Sequence, residues 1–158
     1  MAQPKPHNAQ SIPLAQPAQR SFSVAREVDV YVAIVRGRDL ATEIGFNLID
    51  RTRVEIVILE LTRNLLVHAG KGTLILERVD DQEFGPGIAI EVLDQGPGIV
   101  DIDLALQDGY STAQTLGAGL PGVKRLTDQF IIESTVGVGT RVRAVKWLNR
   151  RRRAIYGL

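Results

Sequence analysis

A carboxylate, an amide and an imidazole recur at four-residue spacing in the run Glu60-Leu61-Thr62-Arg63-Asn64-Leu65-Leu66-Val67-His68. On a helix that spacing puts Glu60, Asn64 and His68 on one face. The surrounding residues are apolar nearly all round (Val54, Ile56, Val57, Ile58, Leu59 and onward), as in a helix buried on most sides. A carboxylate there must be paired or must face a cleft, because an unpaired buried charge is costly. In a cleft the amide oxygen suits a hard cation such as Mg²⁺, and the carboxylate suits proton transfer. A polar stripe that is solvated, or paired with Arg63, has the same pattern. His68 at the helix end fits a structural role, where its charged form meets the helix dipole favourably. The other histidine is His7, so a histidine-rich metal site is excluded.

Three glycine-bearing stretches follow. Asp94-Gln95-Gly96-Pro97-Gly98-Ile99 leaves an apolar strand and makes a tight turn, where a ligand can approach the backbone closely. A carboxylate at that strand end can accept from an exocyclic amine. Gly117-Ala118-Gly119-Leu120-Pro121-Gly122 matches G-x-G-x-x-G and opens a helix. Ser111 to Leu116 before it is not strand-like and no βαβ unit surrounds it, so a Rossmann site is not expected. No G-K-[ST] occurs, so there is no Walker A loop. What remains is a helix start whose N–H groups favour phosphate, with Lys124 one turn in. Gly137-Val138-Gly139-Thr140 reads as a hairpin turn.

These residues need elements to position them. Ser21–Arg26 reads as a short strand. Asp29 is the expected N-cap of a helix ending at Ile44 and Gly45, although Val28 to Val35 is β-branched enough to pass for a strand. Asp50 is the expected cap of the next helix, which runs to Ala69 before Gly70. Thr73–Val79 and Ile88–Leu93 are strands joined by a polar turn over 80–87. A short helical piece spans Ile102–Gln107, a helix Leu120–Thr127, and a closing pair of strands Phe130–Ser134 and Arg141–Leu148. The expected order is β-α-α-β-β-α-β-β: α+β, a two-layer sandwich with a mostly antiparallel sheet and helices on one face.

Composition narrows the function classes. The 158 residues suit one domain, with 44% hydrophobic and 23% charged residues. With no cysteine, a disulfide framework, a cysteine zinc site and a thiol nucleophile are excluded, and a cytoplasmic location is expected. No apolar run approaches a membrane span, and none follows Lys5 as a secretory signal would require. Residues 1–20 hold four of the seven prolines and no apolar period, so a disordered tail is expected. The net charge is +1, and without the run Arg150 to Arg153 it becomes −3. A mildly acidic domain (21–149) with a basic tail (150–158) is not the pattern of a nucleic-acid binder.

Taken together and in order, the four polar and glycine-bearing pieces resemble the Bergerat-fold, or GHKL, ATPases: gyrase B, Hsp90, the histidine kinases and MutL. Within them, ELTRNLLVHAGKG (60–72), VLDQGPGI (92–99), DGYST (108–112), the run Thr115 to Leu126, and AVKW (144–147) resemble the RsbT-type switch-protein kinases of partner-switching and stressosome modules. The resemblance covers residues 21–148. It implies a mixed sheet under a few helices, with ATP between the helices and a mobile lid. It implies that Asp94 accepts from the adenine amino group, that Gly98 and Thr140 line the adenine pocket, and that Gly96 is cofactor-binding. It further implies that Asn64 holds Mg²⁺ and that Gly117, Gly119 and Gly122 give backbone contacts to phosphate, with Leu120 and Lys124 also expected to be cofactor-binding. By the same resemblance, Glu60 is expected to be the base that takes a proton from a serine or threonine hydroxyl. The implied substrate is a STAS-domain antagonist protein. A PP2C-type phosphatase or a sigma-regulatory protein completes the partner set, and a homodimer is compatible with it.

The lid, Val100 to Leu116, has no lysine or arginine. Positive charge at the γ-phosphate then has to come from Lys71, Lys124, Arg63 or the partner, and in the last case the isolated chain turns over slowly. The competing expectation is a nucleotide-gated binding module that sequesters a STAS protein or sigma factor with little transfer. Intact Glu60 and Asn64 favour catalysis.

Overall fold

The computed structural model describes residues 19–109 and 119–148. Strand β1 (Gln19–Val24) leads into helix α1 (Glu27–Ile44), helix α2 (Leu48–Ala69), strand β2 (Gly72–Asp81) and strand β3 (Gly85–Asp94). Helix α3 (Ile102–Ala105), helix α4 (Gly119–Leu126), strand β4 (Gln129–Thr135) and strand β5 (Gly139–Trp147) complete the order. The strands form one sheet, β1-β2-β3-β5-β4. Where a mixed, mostly antiparallel sheet was expected, all four pairings are antiparallel. The chain enters β5 from β4 through a hairpin, so β5 slots between β3 and β4 and no parallel crossover arises.

Both expected helix stops hold. Gly45 (φ 105°) and Gly70 (φ 77°) take the left-handed conformation and their N–H groups close the last turns. Both expected caps move. Helix α1 starts at Glu27 with Arg26 as N-cap, and Asp29 sits three residues in. The Asp29 carboxylate reaches back to accept from the N–H groups of Arg26 (2.9 Å) and Ala25 (3.0 Å). In α2 the cap is Asn47, whose side chain accepts from Asp50 N–H at 2.9 Å. Asp50 turns instead to Arg53 (2.8 Å) and to Lys146 (3.3 Å), a lysine that is otherwise fully buried. An acidic residue satisfies helix-start N–H groups from either position, which is why the pattern misplaced both.

The core lies between the helices and one sheet face. Leu74, Leu76, Ile88, Ile90, Val92, Val142 and Ala144 point from the sheet towards Val30, Leu40, Val54, Ile58, Leu61 and Leu65. A Cβ at Gly37 would collide with the Ile58 side chain, so that glycine sets how closely α1 and α2 approach. Of the β-branched run Val28–Val35, Val28, Val32 and Val35 lie on the outer side and are about half exposed, while Ile34 packs against the core. Period, not β-propensity, decides this segment.

The opposite sheet face carries an ion network. Glu91, nearly buried, accepts from Arg141 Nε and Arg143 (2.8 Å), and Arg143 also bonds Glu77 at 3.2 Å. Burial raises the Glu91 carboxyl pKa, but the hydrogen bonds from Arg141 and Arg143 outweigh it and hold the group below the usual glutamate range. A depressed folded pKa contributes stability above the unfolded value, which is lost as pH falls through the folded one. Glu91→Gln is therefore expected to be destabilised at neutral pH. Its deficit in melting temperature against the native chain should shrink as pH falls from about 5 towards 3. Parallel thermal melts across that range check this; a constant deficit would remove Glu91 from the acid response.

Candidate nucleotide site

Between α2, the end of β3 and the start of α4 lies a cleft of about 460 Å³, ample for a small-molecule ligand. Asn64 and His68 line it from α2, Asp94 and Val92 from β3, and Pro97, Gly98 and Ile99 from the loop beyond. Ala105 of α3, Gly119 and Leu120 of α4, and Thr140 and Val142 of β5 complete the wall with Leu61, Leu65 and Val67. The lining is mainly apolar, with a few polar groups at defined points.

Asp94 is held by its own loop. Its Oδ1 accepts from Gly96 N–H (2.8 Å) and Thr140 N–H (3.3 Å). The other oxygen carries no hydrogen bond among the described residues. The loop is in turn tied to the β4–β5 hairpin. Gly137 N–H donates to Pro97 C=O at 2.9 Å. Ile99 N–H donates to Ser134 Oγ at 2.7 Å, and Ser134 Oγ lies 2.8 Å from Thr140 Oγ1. Ser134 thus clamps the aspartate loop to the hairpin. Nothing in the sequence singles it out, because its importance lies in a contact 35 residues away.

Gly98 has φ 75°, and a Cβ there would lie 2.5 Å from Thr135 C=O. Gly98→Ala therefore combines left-handed backbone strain with a collision against main chain. It is expected to lower thermal stability by about 1–3 kcal/mol and to weaken nucleotide binding more than a substitution on the outer sheet face does. Differential scanning fluorimetry with and without ATP reads both effects. An unshifted melting temperature would show that the loop accommodates the methyl.

The expected site residues divide. Asp94, Gly98, Thr140, Asn64, Gly119 and Leu120 meet in the cleft. Glu60 shares the helix face of Asn64 but is fully enclosed and does not line the cleft. Gly96 packs against Ala69, with a Cβ placed 2.7 Å from the alanine Cβ, and so seats the loop on the end of α2. Gly122 is buried within α4. Lys124 is exposed on α4 and, like Lys71 and Arg63, is not part of the lining. Gly117 and the last seven residues of the basic-free lid, 110–116, lie outside the described residues. His68, assigned a structural role from its position, instead lines the cleft one turn beyond Asn64.

Among the described residues there is no group of three or more His, Cys, Asp or Glu able to hold a metal. Were Mg²⁺ to enter with a nucleotide, the Asn64 amide oxygen is a hard cleft donor that could hold it, with phosphate oxygens and water filling the remaining positions.

Residues 49–150 match the family model of the histidine kinase-, DNA gyrase B- and HSP90-like ATPases. The chain is 45% identical over 130 residues to serine/threonine-protein kinase RsbT of Bacillus subtilis, covering 82% of this chain and 97% of the relative. This chain belongs to that ATPase family, as an RsbT-type serine/threonine-protein kinase. An anti-sigma F factor of Caldanaerobacter subterraneus is 29% identical over 102 residues, covering 63% of this chain and 71% of the relative. The crystal structure of the RsbU and RsbW domains of a Mycobacterium tuberculosis protein superposes with TM-score 0.56 at 16% identity. That match covers 83% of this chain and 33% of the larger one, a likeness of fold. The α+β sandwich is thus the GHKL-type ATPase fold, with its sheet wholly antiparallel among the described residues. No helix among them is long and apolar enough to cross a membrane.

Proposed function

We propose that this RsbT-type kinase transfers the γ-phosphoryl group of Mg²⁺-ATP to a serine or threonine of a small STAS-domain antagonist protein, within a partner-switching module that regulates a stress response or a sigma factor. The observation that carries this reading is the cleft itself: an aspartate with one oxygen fixed by its loop and one left over, facing a wall that bears Asn64, in a chain 45% identical to a serine/threonine kinase. The anti-sigma relative supports the regulatory setting, and the absence of cysteine fits a reducing cytoplasm.

The cleft geometry supports the following roles. The second oxygen of Asp94 accepts from the exocyclic amine of adenine, while Thr140 and Gly98 shape the pocket around the base. The apolar side chains of Leu65, Val92, Ile99 and Val142 hold the ring by burial. The α4 start at Gly119 and Leu120 offers N–H groups to phosphate. Asn64 supplies an amide oxygen to the cation, and Mg²⁺ when bound neutralises charge on the phosphates. Glu60 takes the proton as the partner's hydroxyl oxygen bonds to the γ-phosphorus and the bond to ADP breaks. Because Glu60 is enclosed, the base becomes accessible only when its surroundings shift, which partner docking would bring about. The same requirement makes the isolated chain a slow ATPase. A PP2C-type phosphatase or a sigma-regulatory protein would be the second partner of the switch.

The test is transfer of label from Mg²⁺-ATP to a STAS-domain protein, with Asp94→Asn as control. Label on a partner serine or threonine, absent in the control, supports the reading. Tight ATP binding with no transfer to any STAS partner supports the nucleotide-gated binding module instead.

A further inference from the structure

Ser134 is not part of the cleft lining, yet its hydroxyl meets three polar groups: the Ile99 N–H at 2.7 Å, Thr140 Oγ1 at 2.8 Å and the Gly139 C=O at 3.2 Å. Ser134 and Thr140 face each other directly in the β4–β5 register. A serine hydroxyl has one proton and two lone pairs. The Ile99 N–H can only donate, so it occupies one lone pair. The Gly139 carbonyl can only accept, so it takes the proton. One lone pair remains at Ser134, and the Thr140 hydroxyl donates into it. The reverse assignment, with Ser134 donating to Thr140, would set the serine oxygen against the Gly139 oxygen at 3.2 Å with no proton between them. Only the first assignment turns all three contacts into hydrogen bonds, as enclosed polar groups require.

The consequence falls on Thr140, which does line the cleft. Its backbone N–H donates to Asp94 Oδ1 at 3.3 Å, and its hydroxyl proton is committed to Ser134. Residue 140 therefore offers a ligand lone pairs only. Asp94 faces Thr140 in the β3–β5 register, and its carboxylate also only accepts. The two side chains form one edge of the cleft that takes hydrogen bonds and gives none. The lining side chains able to donate, Asn64 and His68, belong to the α2 wall instead.

We infer that Ser134 is a positioning residue for base specificity: by holding the Thr140 hydroxyl as an acceptor, it favours a purine with an amine at its 6-position over one with a carbonyl there. A carbonyl on this edge would meet lone pairs alone, which is discrimination by a repulsive contact. The inference rests on the nucleotide reading of the cleft and deepens it.

The experiment is equilibrium titration of the full chain with ADP and with inosine diphosphate, which carries a carbonyl where ADP carries the 6-amine. The native chain should prefer ADP. Ser134→Ala releases the Thr140 proton, which can then turn to a carbonyl in the cleft. It also removes the acceptor of the Ile99 N–H, so both affinities should fall. The ratio between them should drop as well, by about 2–10-fold, the contribution of one neutral hydrogen bond. Ser134→Thr keeps the hydroxyl and should restore the ratio. Thr140→Val should lose the same part of it, and in the Thr140→Val chain Ser134→Ala should change the ratio no further. A serine that only braces the loop would weaken both nucleotides equally. Circular dichroism melts confirm that the variants fold.

A native chain without preference for ADP overturns the inference. So does a ratio unmoved by Ser134→Ala, or one that Ser134→Ala lowers equally in the Thr140→Val chain. Asp94→Asn locates the fault. Preference lost in Asp94→Asn but kept in Ser134→Ala leaves the adenine reading standing and removes the role of Ser134. Preference kept in both removes the two together.

Discussion

Glu60→Gln is expected to reduce phosphoryl transfer to the partner by about 10²–10⁴-fold, the usual contribution of a positioned general base. Nucleotide binding should be nearly unchanged, because Glu60 lies outside the cleft lining while Asn64 and Asp94 lie within it. Glutamine is the informative replacement at a side chain with no exposure, since it keeps the shape and hydrogen-bonding reach while removing the basic oxygen. An alanine would open a cavity in a packed helix and confuse folding with chemistry. Single-turnover transfer from labelled ATP, beside an equilibrium titration of ADP, separates the two quantities. Transfer at the native rate would mean that another group, or the phosphate itself, accepts the proton. A collapse of both transfer and binding would mean that Glu60 holds the cleft in shape. Retained partner binding with lost transfer would show that docking and chemistry are separate properties.

Asp94→Asn should act on the other half of the cycle. The asparagine oxygen can still accept from Gly96 and Thr140, so the loop keeps its form. The second oxygen becomes an NH₂ group that faces the adenine amine donor to donor. A hydrogen bond to a charged acceptor contributes about 1.5–3 kcal/mol, so ATP affinity should fall by about 10–100-fold. The stabilisation that ATP gives in a thermal melt should shrink accordingly, while the melt of the free protein stays close to native. GTP offers a carbonyl where ATP has an amine. If Asp94 reads the base, the variant should lose its preference for ATP over GTP as well as its affinity. An unchanged ATP titration would place the adenine elsewhere in the cleft.

The elements were legible where a local signal dominates. Glycines 45 and 70 end their helices because only a residue without a side chain turns left-handed there cheaply. The hairpin between β2 and β3 closes at a polar turn, as its composition requires. Helix starts were misplaced because Asp29 and Asp50 each have a cap-like type and neighbour. Which of the candidate residues accepts from which N–H depends on where the preceding strand or turn delivers the chain. The placement of β5 between β3 and β4 is a pairing over long sequence distance, and no periodicity carries it.

The site divides along the same line. Asp94 and Asn64 were readable because the chemistry needs those types at a strand end and on a helix face, and both reach the cleft. Gly96 and Gly122 were read with the lining glycines, yet one seats a loop on Ala69 and the other is buried inside α4. Gly96 needs its missing Cβ for the approach to Ala69, so residue type does not separate a seating glycine from a lining one. Ser134 and the cleft position of His68 were missed because each depends on a wall contributed by another element.

By itself, the sequence carried a carboxylate after a strand, an amide on a buried helix and glycine-bearing turns, whose order resembles the ATPase family to which the chain belongs. These follow from covalent properties of each side chain and from the local period, which the chain carries along its length. Only the tertiary structure decided which of those residues share one cleft, that one Asp94 oxygen is committed to its own loop while the other is left over, that Glu60 is enclosed, and that the outer face of α1 stays bare. Those properties arise from contacts between segments tens of residues apart, where packing rather than residue type sets what each group meets.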